Sequence, residues 1–177
     1  MKLLLLADSN SSHTIKWVRS LRENNFDIKI FTLYKPDYSL YKDFSDVLIS
    51  SLDLDEDLKF GNSIKISKIV YLKAIQKIKK LIKDFNPDIL HAHYVSSYGL
   101  LGALSGFHPY VLSVWGADIF DFPNISFLHK KMIKYNLSKA DRILSTSEIM
   151  KEETKKYTNK NIEVTPFGVD TKRFSPR

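Results

Sequence analysis

The chain has 177 residues, 27 Lys+Arg against 20 Asp+Glu, no cysteine and 44% apolar residues. That length suits one layered core, and the composition is that of a soluble globular protein rather than a disordered one. Without cysteine there is no disulfide scaffold, thiolate zinc site or cysteine nucleophile; the net charge of +7 is a weak pointer to an anionic partner.

Leu3–Ala7 is an apolar run of five residues that stops at Asp8. A signal peptide needs an apolar region of about 7–15 residues and a small-residue cleavage site, and a spanning helix needs about 20 apolar residues. The run therefore reads as a buried strand, and the chain is expected in the cytoplasm. The polar cluster Asp8-Ser9-Asn10-Ser11-Ser12 follows, and Ser11 or Ser12 is expected to cap the helix that carries Ile15, Val18 and Leu21 on one face. Asn24-Asn25 ends that helix. Ile28–Leu33 is a second strand and Val47–Ser50 a weaker third, while Pro36–Gly61 is the least regular stretch. A long amphipathic helix spans Ile64–Phe85 and is stopped by Pro87. Asp88–Tyr94, Tyr110–Trp115, Asp141–Thr146 and Ile162–Thr165 read as further strands. They are separated by helices over Ser97–Leu104, with Gly99, Gly102 and Ala103 allowing close packing, over Phe127–Leu137, and from the cap Ser147 to Tyr157.

This alternation predicts an α/β fold: a doubly wound, mostly parallel sheet with helices on both faces. In such sheets ligands bind at the carboxyl ends of the strands, so the residues to inspect are 8–13, 91–97, 115–118, 146–148 and 166–170. The first of these loops contains no glycine, which disfavours a dinucleotide site built on backbone contact with a pyrophosphate. Its helix-start amides, with Ser11, Ser12 and His13, can still hold an anion or sugar hydroxyls, or the loop can serve only as a cap. His91 and His93 share one face of a strand; a zinc site would need a third ligand that the sequence does not supply, and packing is favoured, with His93 nearer the strand end. Trp115 can stack on a sugar ring and Asp118 can meet its hydroxyls, or the two can be a core indole and a cap. Lys59, Lys65, Lys68, Lys73, Lys77, Lys79, Lys80 and Lys83 crowd the long helix, with no acid from Leu58 to Lys83. They form a solvated face or, more sharply, a docking surface for anionic lipid through Lys65, Lys68, Lys73, Lys77, Lys80 and Lys83. No nucleic-acid-binding signature accompanies the charge, and no nucleic-acid partner is expected.

The series Pro87–His93, Gly99–Ala103, Ser113–Ile119 and Ala140–Glu148, together with the ending Val164–Pro176, resembles the N-terminal half of family 4 glycosyltransferases, in order and over nearly the whole chain. The resemblance implies the Rossmann-like N-terminal half of a GT-B fold. It also implies retaining transfer from a nucleotide-sugar co-substrate without a required metal or other cofactor. Its N-terminal domain mostly binds the acceptor, a saccharide or a lipid-linked one, and most donor contacts come from a second domain. By this likeness residues 1–165 are the acceptor-side domain and 166–177 the start of an interdomain linker, with Gly168 at the hinge and the donor-binding domain absent. The isolated domain is then expected to be inactive. Acceptor contacts fall by position on Ser11, Ser12, His13, His93, Tyr94, Trp115 and Asp118. Many members carry glycines in the first loop and a histidine where this chain has Trp115, so no catalytic side chain is assigned in this half. Surface polysaccharide or glycolipid assembly is the expected setting. The alternative is a non-catalytic Rossmann-like module that binds a sugar, a nucleotide or a protein.

Overall fold

The computed structural model describes residues 1–44, 46–55 and 68–168. Seven strands, β1 (Lys2–Leu6), β2 (Asp27–Tyr34), β3 (Leu48–Leu54), β4 (Ile89–His93), β5 (Tyr110–Val114), β6 (Arg142–Ser145) and β7 (Ile162–Val164), form one sheet in the order β3-β2-β1-β4-β5-β6-β7. Every pairing is parallel. Leu5 lies between Ile30 and His91 in the register, and Leu112 between Ala92 and Ile143. The strand order reverses direction between β1 and β4, so the two loops leaving these strands diverge and open a crevice at their carboxyl ends.

Six α-helices accompany the described strands: α1 (Ser12–Glu23), α2 (Lys68–Phe85), α3 (Ser97–Ser105), α4 (Ala117–Phe120), α5 (Phe127–Lys139) and α6 (Glu148–Lys155). Alternation along the strands divides the core in two. Leu4, Leu6, Leu90, Ala92, Leu112, Val114 and Ile143 meet the apolar stripes of α2, α3 and α5. On the other face Leu3, Leu5, Ile28 and Ile30 meet Val18 of α1 and the side chains Tyr41, Phe44 and Val47. His91 and His93 belong to this second face by parity, and both rings lie beside Trp17 of α1, at 5.3 and 5.6 Å between centroids.

Local chemistry explains the boundaries. Helix α1 ends at Asn24, and Asn25 adopts a left-handed φ of 61°, a conformation asparagine tolerates. The long helix closes at Asn86, also left-handed, ahead of Pro87; its predicted start at Ile64 lies outside the described residues. Ser147 caps α6 as expected, its hydroxyl accepting from the Met150 amide at 3.2 Å. The stretch predicted to be irregular holds more order than its sequence suggested. It contains a 3-10 helix over Tyr38–Phe44, and β3 runs on to Leu54. No apolar period marks this turn; it is held from elsewhere, by the Tyr41 hydroxyl donating to the Ser9 carbonyl at 2.7 Å.

Two glycines let α3 lie against the sheet. A methyl group on Gly102 would sit 2.5 Å from the ring of Tyr110, a fully buried side chain whose hydroxyl donates to the Gly99 carbonyl at 2.9 Å. Alanine would gain up to about 1 kcal/mol of helix propensity but would force Tyr110 out of place, at a cost of about 1–3 kcal/mol. Gly102→Ala is therefore expected to lower stability by about 1–2 kcal/mol, read as a lower urea midpoint at unchanged slope; an unchanged midpoint would show that Tyr110 gives way freely.

Candidate functional site

The crevice between β1 and β4 holds a cavity of about 290 Å³ lined by Asp8, Ser11, Tyr34, His93, Tyr94, Ser97, Tyr98 and Trp115. Its floor is the first loop. The Asp8 side chain accepts from the Asn10 amide at 3.1 Å, and Asn10 spans to the end of β2, donating to the Lys35 carbonyl at 3.0 Å and accepting from the Asp37 amide at 2.8 Å. Ser11 occupies the N-cap position with extended backbone, yet its side chain makes no capping bond. The expected serine cap is absent: Ser12 has become the first helical residue, and the Ser11 side chain faces the cavity. Amides at the start of α1 thus keep the partial positive charge of an uncapped helix end near the crevice.

The second wall is the exit of β4. His91 is satisfied inside the fold by the Ser113 hydroxyl at 2.7 Å, and burial depresses its pKa to about 3. His93, only 1% exposed, has no hydrogen-bond partner on either ring nitrogen. Burial, reinforced by its neighbours His91 and His13, holds its pKa well below the ordinary value. The chain then turns through Tyr94 at φ 79°, a conformation that is unfavourable for a bulky side chain. It is held there by the Tyr94 amide donating to the Ser113 carbonyl and the Tyr94 carbonyl accepting from Gly99, at 3.0 and 2.9 Å. Strain of this kind, about 1–3 kcal/mol, collects at functional sites.

The third wall is the exit of β5. Trp115 is half-buried with its indole nitrogen unpartnered, and Gly116 takes a φ of 143°. Asp118 does not reach the cavity. Its carboxylate is fully buried and accepts from the amides of Val95 (2.6 Å), Gly116 (2.7 Å) and Trp115 (3.1 Å). Burial pushes its pKa up to about 6 against the pull of those amides. The geometry makes Asp118 a clamp between the β4 and β5 exits instead of a contact for hydroxyls.

Of the predicted site residues, Ser11, His93, Tyr94 and Trp115 meet around one cavity, and His13 joins them through ring contacts with Trp115. Ser12 is exposed at the helix start. Gly168, the predicted hinge, has a left-handed φ of 69° and accepts at its carbonyl from Lys16 at 3.2 Å. Residues 169–177 lie outside the described residues. Sequence reasoning missed Tyr34, Tyr98 and Trp17, while Ser97 and Phe167 lie within the strand-end sets 91–97 and 166–170 without having been singled out. Tyr34 closes β2, so inspection of every strand end would have found it. Tyr98 shows no signal, because its hydroxyl is tied to Thr32 and the Leu33 amide by tertiary contact. Among the described residues no group of three or more His, Asp or Glu side chains could hold a metal ion.

An unpartnered buried polar group costs about 1–3 kcal/mol, so His93→Leu is expected to raise stability at neutral pH by about 1 kcal/mol. The two buried histidines also tie stability to pH. Both refuse a proton that the unfolded chain accepts near pH 6.5. Their contribution is therefore full above that pH and declines below it, by about 1.4 kcal/mol per unit for each ring. Removing His93 should make the decline below pH 6.5 shallower by one such increment. Urea denaturation across pH tests both effects, and a destabilised, equally pH-dependent variant would contradict them.

Comparison with known proteins bears on the family and the fold. Residues 2–147 match the family model described as glycosyl transferase 4-like. Over 95 residues, 52% of this chain, the sequence is 33% identical to TuaC of Bacillus subtilis (strain 168), a protein assigned to teichuronic acid biosynthesis as a glycosyltransferase, and covers 24% of it. The fold resembles a sucrose-phosphate synthase from Thermosynechococcus elongatus (TM-score 0.70, 14% identity, 100% of this chain and 50% of that one). It also resembles the UDP-GlcNAc 2-epimerase of Neisseria meningitidis bound to UDP-GlcNAc (TM-score 0.63, 13% identity, 93% of this chain and 46% of that one). The chain thus spans between about a quarter and a half of these proteins. With the family model covering most of its length and the all-parallel Rossmann-like sheet that such proteins share, the chain belongs to the glycosyl transferase 4-like family.

Proposed function

We propose that this chain is the acceptor-side domain of a retaining glycosyltransferase. The enzyme would move a sugar from a nucleotide-sugar donor to a saccharide or lipid-linked acceptor, in the assembly of surface polysaccharide or glycolipid, on the cytoplasmic side of the membrane. The observation that carries the reading is the cavity at the β1–β4 switch point. Three tyrosines and Trp115 supply faces for the apolar side of a sugar ring, and Ser11, Ser97 and His93 stand among them to read hydroxyls. Such a pocket contributes to rate by placing the acceptor hydroxyl, since orientation of two reactants removes a large part of a bimolecular barrier. The uncapped start of α1 adds fixed positive potential where a departing phosphate would develop charge. Most donor contacts would come from a second domain, and the name of the Bacillus subtilis relative favours a cell-surface polymer as product.

Trp115 is the side chain to test. Trp115→Ala should weaken binding of saccharide acceptors about tenfold or more, the value of losing a stacking face and its buried area, while the far-ultraviolet circular dichroism stays unchanged. Saturation-transfer NMR with a panel of oligosaccharides measures this. Unchanged binding would favour the non-catalytic module, as would a full-length protein inert toward every UDP- and GDP-sugar.

The membrane reading also draws support from α2, though on fewer lysines than its sequence suggested. Lys65 lies outside the described residues, as does the side chain of Lys68. Lys77 is turned inward and donates to the Ser51 carbonyl, and Lys80 pairs with Asp84 at 2.9 Å. Lys73 and Lys83 stay on the exposed face, with Ile69 and Leu72 exposed at 62% and 61% at the start of the helix. Apolar side chains flanked by lysine favour an anionic interface. Among the described residues no helix is long and apolar enough to cross a membrane. Ile69→Ser/Leu72→Ser is expected to reduce co-sedimentation with phosphatidylglycerol vesicles at low salt, whereas Lys77→Gln leaves it unchanged; wild-type protein that stays in the supernatant would overturn the docking surface.

A further inference from the structure

The segment after β7 returns to the Trp115 wall of the site. The Thr165 amide donates to the Ser145 carbonyl at 2.7 Å, and two residues later the ring of Phe167 lies flat on His13, with centroids 3.9 Å apart and planes within 14°. The same ring meets Trp115 edge-on at 5.2 Å. Trp115 in turn lies 5.7 Å from His13 and 4.4 Å from His93. Four rings from four parts of the chain thus form one cluster, in which Phe167, His13 and Trp115 are half-buried and His93 is buried.

Within this cluster lie buried nitrogens with no hydrogen-bond partner: Nδ1 of His13, both ring nitrogens of His93, and Nε1 of Trp115. Such groups are rare in folded proteins and each calls for an explanation. The neighbouring His91 shows that the fold can satisfy a buried imidazole here, through Ser113. The unpaired set has a definite chemistry. A neutral imidazole carries one donor and one acceptor, and an indole carries one donor. A hydroxyl both donates and accepts, so adjacent hydroxyls can satisfy the whole set. A carboxylate or a phosphodiester only accepts, and would leave the imidazole lone pairs unmatched. Burial, with Lys16 nearby, depresses the pKa of His13, and burial does the same for His93; neutral rings fit an uncharged ligand.

Resting on the acceptor reading above, we propose that Phe167 is a built-in cover seated where a pyranose ring belongs. An uncharged saccharide displaces it, stacks on His13 and Trp115, and pairs its hydroxyls with the buried nitrogens of His13, His93 and Trp115. The cover has somewhere to go. A second cavity of about 210 Å³, lined by Lys16, Trp17, Ser20, Thr165, Pro166 and Phe167 itself, adjoins it. The following residue, Gly168, has a left-handed φ of 69° and open space around it. Besides the ring contacts of Phe167, the Lys16 ammonium on the Gly168 carbonyl resists the movement.

The two tryptophans of the chain, Trp17 and Trp115, both lie in this ring system, so intrinsic emission reports on it directly, and Trp17→Phe isolates the Trp115 signal. Wild type and Phe167→Ala would be titrated with the methyl glycosides of glucose, galactose, mannose and N-acetylglucosamine, and with inorganic phosphate as the anionic control. A cover closed for about nine-tenths of the time weakens apparent affinity about tenfold. Phe167→Ala should therefore bind at least one glycoside about tenfold tighter, shift Trp115 emission on binding, ignore phosphate, and show greater acrylamide quenching of Trp115 before any ligand is added. Equal glycoside affinity in the two proteins would overturn the cover and leave the acceptor site standing. Phosphate binding without glycoside binding would overturn the ligand class. Absence of glycoside binding in both proteins would overturn the acceptor reading itself.

Discussion

A single buried carboxylate holds the working end of this sheet together. Strands β4 and β5 leave the core side by side, and nothing in their ladder dictates where the loops beyond them go. Asp118 supplies that constraint by collecting amides from both exits, those of Val95 on one side and of Trp115 and Gly116 on the other. Asn136 of α5 adds a bond to the Val95 carbonyl at 2.8 Å from the same buried layer. Charge-assisted bonds of this kind are stronger than neutral ones, and they offset part of the desolvation that raises the pKa of the group. Trp115 keeps its position because its own amide is fastened to the Asp118 side chain, and Tyr94 is flanked by the Val95 amide fastened to the same carboxylate.

The arrangement separates two kinds of residue that sequence reasoning tends to merge. Polar side chains at strand ends either build the loops or face the crevice. Asp118, Asn10 and Ser147 build: each spends its oxygen on backbone amides. Ser11, His93 and Trp115 face the crevice, and the last two keep polar atoms unpaired at a cost to stability. Functional surfaces are where local rules of polar satisfaction fail, and here the failures cluster around one stack of rings.

How much of this was legible beforehand varies with the range of the interaction. Strands and the longer helices followed from apolar runs and periodicity, though the short α4 did not, and the Ser147 cap, Pro87 stop and packing glycines followed from short-range chemistry. The strand-end rule brought Ser11, His93, Tyr94 and Trp115 together, because parallel topology sends those positions to one edge. What stayed hidden depends on distant partners. The 3-10 helix rests on Tyr41 reaching Ser9, the inward turn of Lys77 rests on the Ser51 carbonyl, and the burial of Asp118 rests on Val95. An aspartate two residues after a strand-end glycine looks the same in sequence whether it meets solvent or amides. The absence of a serine cap on α1 was also invisible, since Ser11 and Ser12 both have the right chemistry for one.

The two threads that tie the 3-10 segment to the first loop, Tyr41 to Ser9 and Asn10 to Asp37, have an evolutionary consequence. They connect a stretch of no fixed pattern, which lends only Tyr41 and Phe44 to the second core, to the floor of the cavity. Substitutions between residues 36 and 44 that keep Tyr41 and Phe44 can therefore move the floor without disturbing the core strands. That segment is where pocket shape can drift at little cost to the sheet.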